Sequence, residues 1–183
     1  MFPVPRTLYG EIGVRSHGRG VFKKEPISGS ELGNKPVFWV VPNSLVFNIV
    51  FAWEGAVATT TASHDGLIAS FRFPMYRVRP NRAALRFMKH FFTAGHGRYL
   101  MREHSPGAAG RNKTLRQGRL LSEYAWLPSA TDQDRLARYI DSTEGKHRRV
   151  SERLSNQVER LREYRQTLIT AAVTGQLDIE VAA

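Results

Sequence analysis

The sequence contains no cysteine. That excludes a disulfide framework and every cysteine-based metal site, and it suits a reducing compartment, so a cytoplasmic protein is expected. Long hydrophobic runs are missing too. The most apolar stretch, Val37 to Trp53, is interrupted by Pro42, Asn43, Ser44 and Asn48, which leaves it too short and too polar to span a bilayer. The N-terminal Met1-Phe2-Pro3-Val4-Pro5-Arg6 lacks the basic-then-apolar layout of a signal peptide. Acidic residues are scarce over a long stretch: between Arg72 and Arg119 there are 12 Lys/Arg and one acid, Glu103.

Signatures of catalysis are missing as well. Gly18-Arg19-Gly20 is not followed by the remaining glycine of a dinucleotide fingerprint, and no phosphate loop of the G-x-x-x-x-G-K-[ST] kind occurs. No Pro-Pro step occurs, so the Pro-Pro-aromatic signature of amino-methyltransferases is missing, and no serine sits in a G-x-S-x-G elbow. Asp141-x-x-Glu144-x-Lys146 imitates part of a metal-nuclease pattern, but such carboxylates belong on neighbouring strands and these fall within a helical stretch, where solvated charge is the expectation. His90, His96 and His104 have no i,i+4 pairing and no cysteine to complete a zinc site, so they are expected on the surface or in loops. His64 beside Asp65 reads as part of a turn. No metal and no directly bound cofactor is expected, nor an enzyme.

What is present is positive charge in one place. The formal net charge is +11. Residues 1–130 hold 18 Lys/Arg against 7 Asp/Glu, whereas residues 131–174 are nearly balanced, with 9 against 7. A surplus so localised predicts a polyanionic partner, because each neutralised phosphate releases condensed counterions.

The N-terminal part alternates short apolar runs with turn chemistry. Val37–Val41, Leu45–Trp53, Ala56–Thr61, Leu67–Phe73 and Met75–Arg79 read as strands, with Pro42-Asn43-Ser44 and Ala62–Gly66 as turns. From Arg82 to Leu100 the period changes: Leu85, Met88, Phe92 and Tyr99 fall near helical spacing, so one or two helices are expected to pack on the sheet with these residues in the core. Ser105 to Gly118 reads as a flexible basic loop. Leu120, Leu121, Tyr124, Trp126 and Leu127 then return to the core. The fold class expected is α+β: a small twisted β-sheet domain with packed helices over residues 1–130, one long coiled-coil helix over 131–175, and a tail, 176–183.

The long helix is well signalled. Thr131 can cap its start, Asp132 and Asp134 sit where the helix dipole favours anions, and Gly175 provides a stop. An alternating three-and-four step picks out Leu136, Ile140, Thr143, His147, Val150, Leu154, Gln157, Leu161, Tyr164, Leu168 and Ala171, a coiled-coil seam weakened by Thr143, His147 and Gln157. Gly145 costs about 1 kcal/mol against alanine. At 1.5 Å per residue such a helix reaches roughly 65 Å. A domain of this size cannot bury so long a stripe, so a partner is expected along Leu136, Ile140, Val150, Leu154, Leu161, Tyr164 and Leu168.

The candidate binding residues are cations in glycine-containing loops. One group is Arg15, His17, Arg19, Lys23 and Lys24; the other is Arg111, Asn112, Lys113 and Arg116, with Arg72 from a strand end. Glycines let backbone approach phosphate, arginine can read guanine in the major groove and asparagine can read adenine.

At the C-terminus the residues become specific. Val158-Glu159-Arg160-Leu161-Arg162-Glu163-Tyr164-Arg165-Gln166-Thr167-Leu168-Ile169-Thr170-Ala171-Ala172-Val173-Thr174-Gly175-Gln176-Leu177-Asp178 closely resembles the C-terminal helix of type I restriction–modification specificity subunits. Leu127-Pro128-Ser129-Ala130-Thr131-Asp132-Gln133 resembles that family's junction between domain and helix, with Asp132 in place of a glutamate and Ser129 in place of a second proline. Leu45–Asn48 with Trp53–Val57, and Gly107–Asn112, look like segments of its target recognition domains.

The resemblance implies a non-catalytic subunit that reads half of a bipartite site on double-stranded DNA and pairs its helix antiparallel with a counterpart. Modification (methyltransferase) subunits and a restriction/translocase subunit are the implied partners, and S-adenosylmethionine, ATP and Mg belong to them. Specificity subunits of this family carry two recognition domains and two helices, and this chain has one of each. It is expected to be either a half-subunit that homodimerises through its helix or the C-terminal part of a longer protein. A basic protein that oligomerises through the same coiled coil and holds nucleic acid without sequence preference stays open as the alternative.

Overall fold

In a computed structural model, which describes residues 1–107 and 113–176, the β-branched and aromatic runs become strands of two or three residues. In chain order these are β1 (Leu8–Tyr9), β2 (Ile12–Val14), β3 (Val21–Lys23), β4 (Ile27–Ser28), a short α1 (Gly29–Leu32), β5 (Val37–Trp39), β6 (Leu45–Phe47), β7 (Val57–Thr59), β8 (Ile68–Ser70) and β9 (Met75–Tyr76). Four helices follow: α2 (Leu85–Thr93), α3 (Gly95–Glu103), α4 (Gln117–Leu121) and α5 (Ala130–Val173). The α+β class expected from the sequence is what the chain adopts: small antiparallel sheets, packed helices and a long C-terminal helix. The chain forms two compact units, Met1–Ala137 and Arg138–Ala183.

The strands do not form one continuous sheet. β1 pairs with β4, β2 with β3 and β5 with β8, while β6 lies between β7 and β9, every pair antiparallel. The turn at Pro42-Asn43-Ser44 therefore does not close a hairpin between β5 and β6. Asn43 takes a left-handed φ of 56°, and the buried Thr60 hydroxyl braces the turn, donating to the Val41 carbonyl at 2.7 Å and accepting from Ser44 N at 2.9 Å. Each ladder is short because proline, glycine or an Asx turn interrupts it.

Two large apolar clusters fill most of the head, beside a small third one of Tyr9, Val37 and Ile68. Leu45, Phe47, Ile49, Val57, Leu100, Met101, Leu115 and Leu120 form one beneath α2 and α3, with Leu85, Met88 and Phe92 packed against it. Ile12, Val14, Val40, Val46, Ala56, Ala58, Ala69 and Phe73 form the other. Burial pushes the Tyr76 phenol above its ordinary pKa.

The N-terminal elements β1 to β4 and α1 add to the strands read from the sequence. Ser28 and Glu31 form a capping box at α1, and the Ser28 hydroxyl and backbone N–H hold the Glu31 carboxyl below its usual range. Gly29 passes so close to Val4 that a Cβ would collide with its carbonyl oxygen. Gly29→Ala is expected to destabilise by about 1–3 kcal/mol, read as a lowered urea midpoint at unchanged slope.

Several sequence expectations are corrected. Tyr99 is exposed, not core: the chain breaks at Ala94-Gly95, where Gly95 has φ 52°, so α3 restarts in a new phase that buries Leu100 and Met101 and leaves Tyr99 stacked on His96. His90 is buried, not superficial. Of the run expected to return to the core, Leu120 does so, but Leu121 is 61%, Tyr124 96% and Trp126 102% exposed. Their segment is strung between anchors on either side. His104 Nε2 meets Glu123 Oε1 at 2.8 Å, and Gln133 Nε2 donates to the Pro128 carbonyl at 2.9 Å.

The long helix begins at Ala130, where Ser129, rather than Thr131, caps it by accepting from Asp132 N at 3.2 Å. It ends as expected: Gly175 has φ 68°, and Gln176 N donates to the Ala171 carbonyl at 2.8 Å, the glycine-terminated closure of a Schellman motif. In the second unit Val150, Leu154, Val158, Leu161, Tyr164 and Ile169 are each 45–66% exposed, with Leu168 at 36%. Val158 thus joins the seam residues as an exposed apolar side chain beside Gln157. Leu136 is also exposed and Ile140 is half-buried. Among the described residues, no helix is long and apolar enough to cross a membrane.

Candidate nucleic-acid interface

The second strand expected from the sequence, Leu45–Trp53, stops at Phe47, and its remainder builds the hub of the candidate site. Asn48 ends the strand as an Asx turn, its Oδ1 accepting from Val50 N at 3.2 Å. A single 3₁₀ turn, Ala52–Glu54, follows, closed by Gly55 at φ 77°. Ala52 is fully buried, which fixes the turn on the core and brings Trp53 and Glu54 toward the surface.

The first basic loop docks on this turn. It joins β2 to β3, and His17 and Gly18 take left-handed φ values of 61° and 66°. His17 N donates to the Glu54 carbonyl at 2.9 Å, Gly18 N donates to the Gly55 carbonyl at 2.9 Å, and the Ser16 hydroxyl donates to Glu54 Oε2 at 2.8 Å. Gly18 packs so near Thr93 that an added Cβ would meet its methyl group at 2.6 Å. Arg15 emerges on β2's extension with its guanidinium 4.6 Å from the Phe22 ring centroid. Arg19 Nε donates to the Ser16 carbonyl at 3.3 Å. Lys23 is exposed at the end of β3. Lys24 pairs with Glu11 at 2.9 Å, so part of its charge is already matched within the head.

The other basic residues reach the hub along its backbone. Ile49 N donates to the Arg72 carbonyl at 3.0 Å, and Leu115 N donates to the Ile49 carbonyl at 2.8 Å. These bonds tie both the Arg72 and the Lys113–Arg116 segments to Ile49. Arg72 holds its guanidinium 5.8 Å from the Phe71 ring, and Lys113 Nζ lies 5.0 Å from the Trp53 ring. Arg116 is exposed at the start of α4, its N–H bonded to the His104 carbonyl at 2.8 Å. Within the expected basic loop, Leu115 and Arg116 are thus held by backbone hydrogen bonds to Ile49 and His104. Arg111 and Asn112 lie outside the described residues.

Arg15, Arg72 and Lys113 thus each lie over an aromatic ring, drawn from three separate stretches of chain. Such stacking restrains a long side chain yet leaves its N–H groups free to bond an anion. Beside them opens a cleft of about 690 Å³, lined in part by Ser16, Phe22, Phe51, Glu54, Phe71 and Arg72. Its charged lining is balanced, Lys24, Lys35 and Arg72 against Glu11, Glu31 and Glu54, so what suits the site to a polyanion carrying planar groups is the set of ring-stacked cations and not the cleft itself. Sequence reading missed Trp53, Glu54, the phenylalanines under the arginines, and Arg102, whose Nε donates to the Trp53 carbonyl at 3.4 Å. Trp53–Val57 was noted as a resembling segment, with Trp53 as a strand end and no site role for Glu54; Gly55 was the signal for a turn.

The start of the long helix is tied to the same head by one side chain. Gln133 is fully buried. Its Oε1 accepts from Ala84 N at 2.8 Å, and its Nε2 donates to the carbonyls of Arg82 at 3.2 Å and Pro128 at 2.9 Å.

No family model and no curated protein matches this sequence. Among solved structures the fold is similar to that of the HsdS subunit from Thermoanaerobacter tengcongensis, with a TM-score of 0.65 at 15% identity. The match covers 81% of this chain and 38% of that one, so the chain spans well under half the length of that subunit.

Proposed function

We propose that the chain is a non-catalytic, sequence-specific DNA-binding specificity module of a type I restriction–modification complex. Its head reads one half of a bipartite site on double-stranded DNA. Its long helix docks modification subunits and a counterpart helix, which a second copy of the chain can supply. The restriction/translocase subunit joins through that assembly, and S-adenosylmethionine and ATP chemistry resides in the partners.

The observation that carries this reading is the convergence of Arg15, Arg72 and Lys113 on one hub within a fold like that of an HsdS subunit. Ring-stacked cations from separate loops suit a duplex, where phosphate contacts set position and base edges set sequence. The exposed apolar row on α5 supports the docking role, since a helix left with such a row in isolation has its partner elsewhere.

The test is selection of bound duplexes from a randomised pool, followed by titration of the winner against unrelated DNA. A module of this kind enriches one short motif and prefers it by about 10³-fold or more; a basic protein without sequence preference enriches nothing. Replacing Arg15, Arg72 and Lys113 together with alanine is expected to weaken binding to every duplex. It should also reduce the slope of log affinity against log salt by roughly 2–3. An unchanged slope would place the phosphate contacts elsewhere.

A further inference from the structure

We infer that Glu54 is a specificity-determining residue of the head, whose free carboxylate oxygen accepts a hydrogen bond from an exocyclic amine of a base, cytosine N4 or adenine N6. This rests on the DNA-reading function proposed above and names what one position of that site does.

The reasoning starts from charge. A carboxylate facing a duplex repels phosphates, so on a basic DNA-binding surface it opposes indiscriminate binding. Glu54 stands beside the cations of the hub: Trp53, its neighbour in the turn, lies under Lys113, and its own side chain lines the cleft that Arg72 also lines. Among the described residues it is in no ion pair. Oε2 takes the Ser16 hydroxyl at 2.8 Å, and Oε1 has no partner among the described residues. An ionised carboxylate is purely an acceptor. Of the major-groove edges, the amines of cytosine and adenine are the ones that donate. Glu54 therefore rewards a base carrying that amine and penalises guanine O6 or thymine O4 in its place.

Placement supports precision. The residue sits on a turn pinned by buried Ala52 and closed by left-handed Gly55, and its backbone carbonyl holds His17 N. The Ser16 hydroxyl fixes one oxygen and so orients the other. A reading group needs this pre-organised support from neighbours with locked geometry.

Glu54→Gln separates reading from positioning, because the amide oxygen still accepts from Ser16 while the second oxygen becomes a donor. The full-length chain and its selected duplex are titrated together with duplexes changed one base pair at a time, by fluorescence anisotropy. Glu54→Gln is expected to lose about tenfold of discrimination at a single base pair, one whose preferred base is cytosine or adenine. It should gain a few-fold in affinity for unrelated DNA and keep its melting temperature. Glu54→Asp, which keeps the charge but draws it back, should relax the same base pair without that gain, and it stands in should the glutamine variant fold poorly. Unaltered preference at every base pair in both variants, with the parent chain remaining specific, overturns the role of Glu54 alone. A parent chain with no preference removes the DNA-reading function and this role with it.

Discussion

A chain carrying Leu161→Asp together with Leu168→Asp is expected to fold as well as the parent and to lose assembly. Both side chains are substantially solvent-exposed, at 66% and 36%, so their replacement removes little packing from the isolated molecule. In the assembly proposed above they are expected to face the partner helix. Burying a leucine contributes about 1.5–3 kcal/mol, and an aspartate forced into the same seam would be desolvated without a counter-charge. Together the two substitutions should weaken association by a hundredfold or more. Sedimentation of the chain alone and with its modification subunits reads this out, and circular dichroism confirms that α5 is intact. Undiminished association would remove Leu161 and Leu168 from the interface, and with them the seam that runs through Leu154 and Tyr164.

The second large effect concerns stability. Gln133→Leu keeps the volume roughly but strips three hydrogen bonds from a fully buried site. Ala84 N–H and the Arg82 and Pro128 carbonyls lose their partner, and each buried polar group left unmatched costs about 1–3 kcal/mol. Some recover through water, so a net loss of about 3 kcal/mol is expected, or roughly 6–12 °C in Tm for a chain of this size. Gln133→Glu should be at least as damaging, because a carboxylate can still accept from Ala84 N but turns a negative charge toward two carbonyl oxygens. A thermal melt of either variant that overlays the parent would show that the start of α5 is held by packing around Ala137 instead.

The long helix was the most legible part of the sequence, for a physical reason. Its stop depends on Gly175 and the chain around it, and its period on residues three and four apart, so neighbours in sequence carry the information. The two helices after Arg82 were legible on the same ground. The five strands β5 to β9 were found but not their pairing, and β1 to β4, of two or three residues each, were not read. Leu45–Phe47 lies between segments distant in sequence, and the Pro42-Asn43-Ser44 turn is braced by a hydroxyl from Thr60, outside the turn itself. Tyr124 and Trp126 misled because composition alone assigns aromatics to the interior, whereas the anchors at Glu123 and Pro128 hold their segment out. At the candidate site, the cations could be picked out by type and by their glycine-containing loops. Phe22, Phe71 and Trp53 beneath them could not, since a ring under a cation is a tertiary relation. Glu54 fell within the Trp53–Val57 segment noted for its resemblance, but a search for positive charge gave it no place among the candidate binding residues.

The most direct test is methylome sequencing of a host expressing this chain with a type I modification subunit. A new bipartite motif is expected, methylated on adenine, palindromic if two copies of the chain supply both heads, and lost when Arg15, Arg72 and Lys113 are replaced together. A methylome identical to that of the host carrying the modification subunit alone, with the chain folded and present, would contradict it.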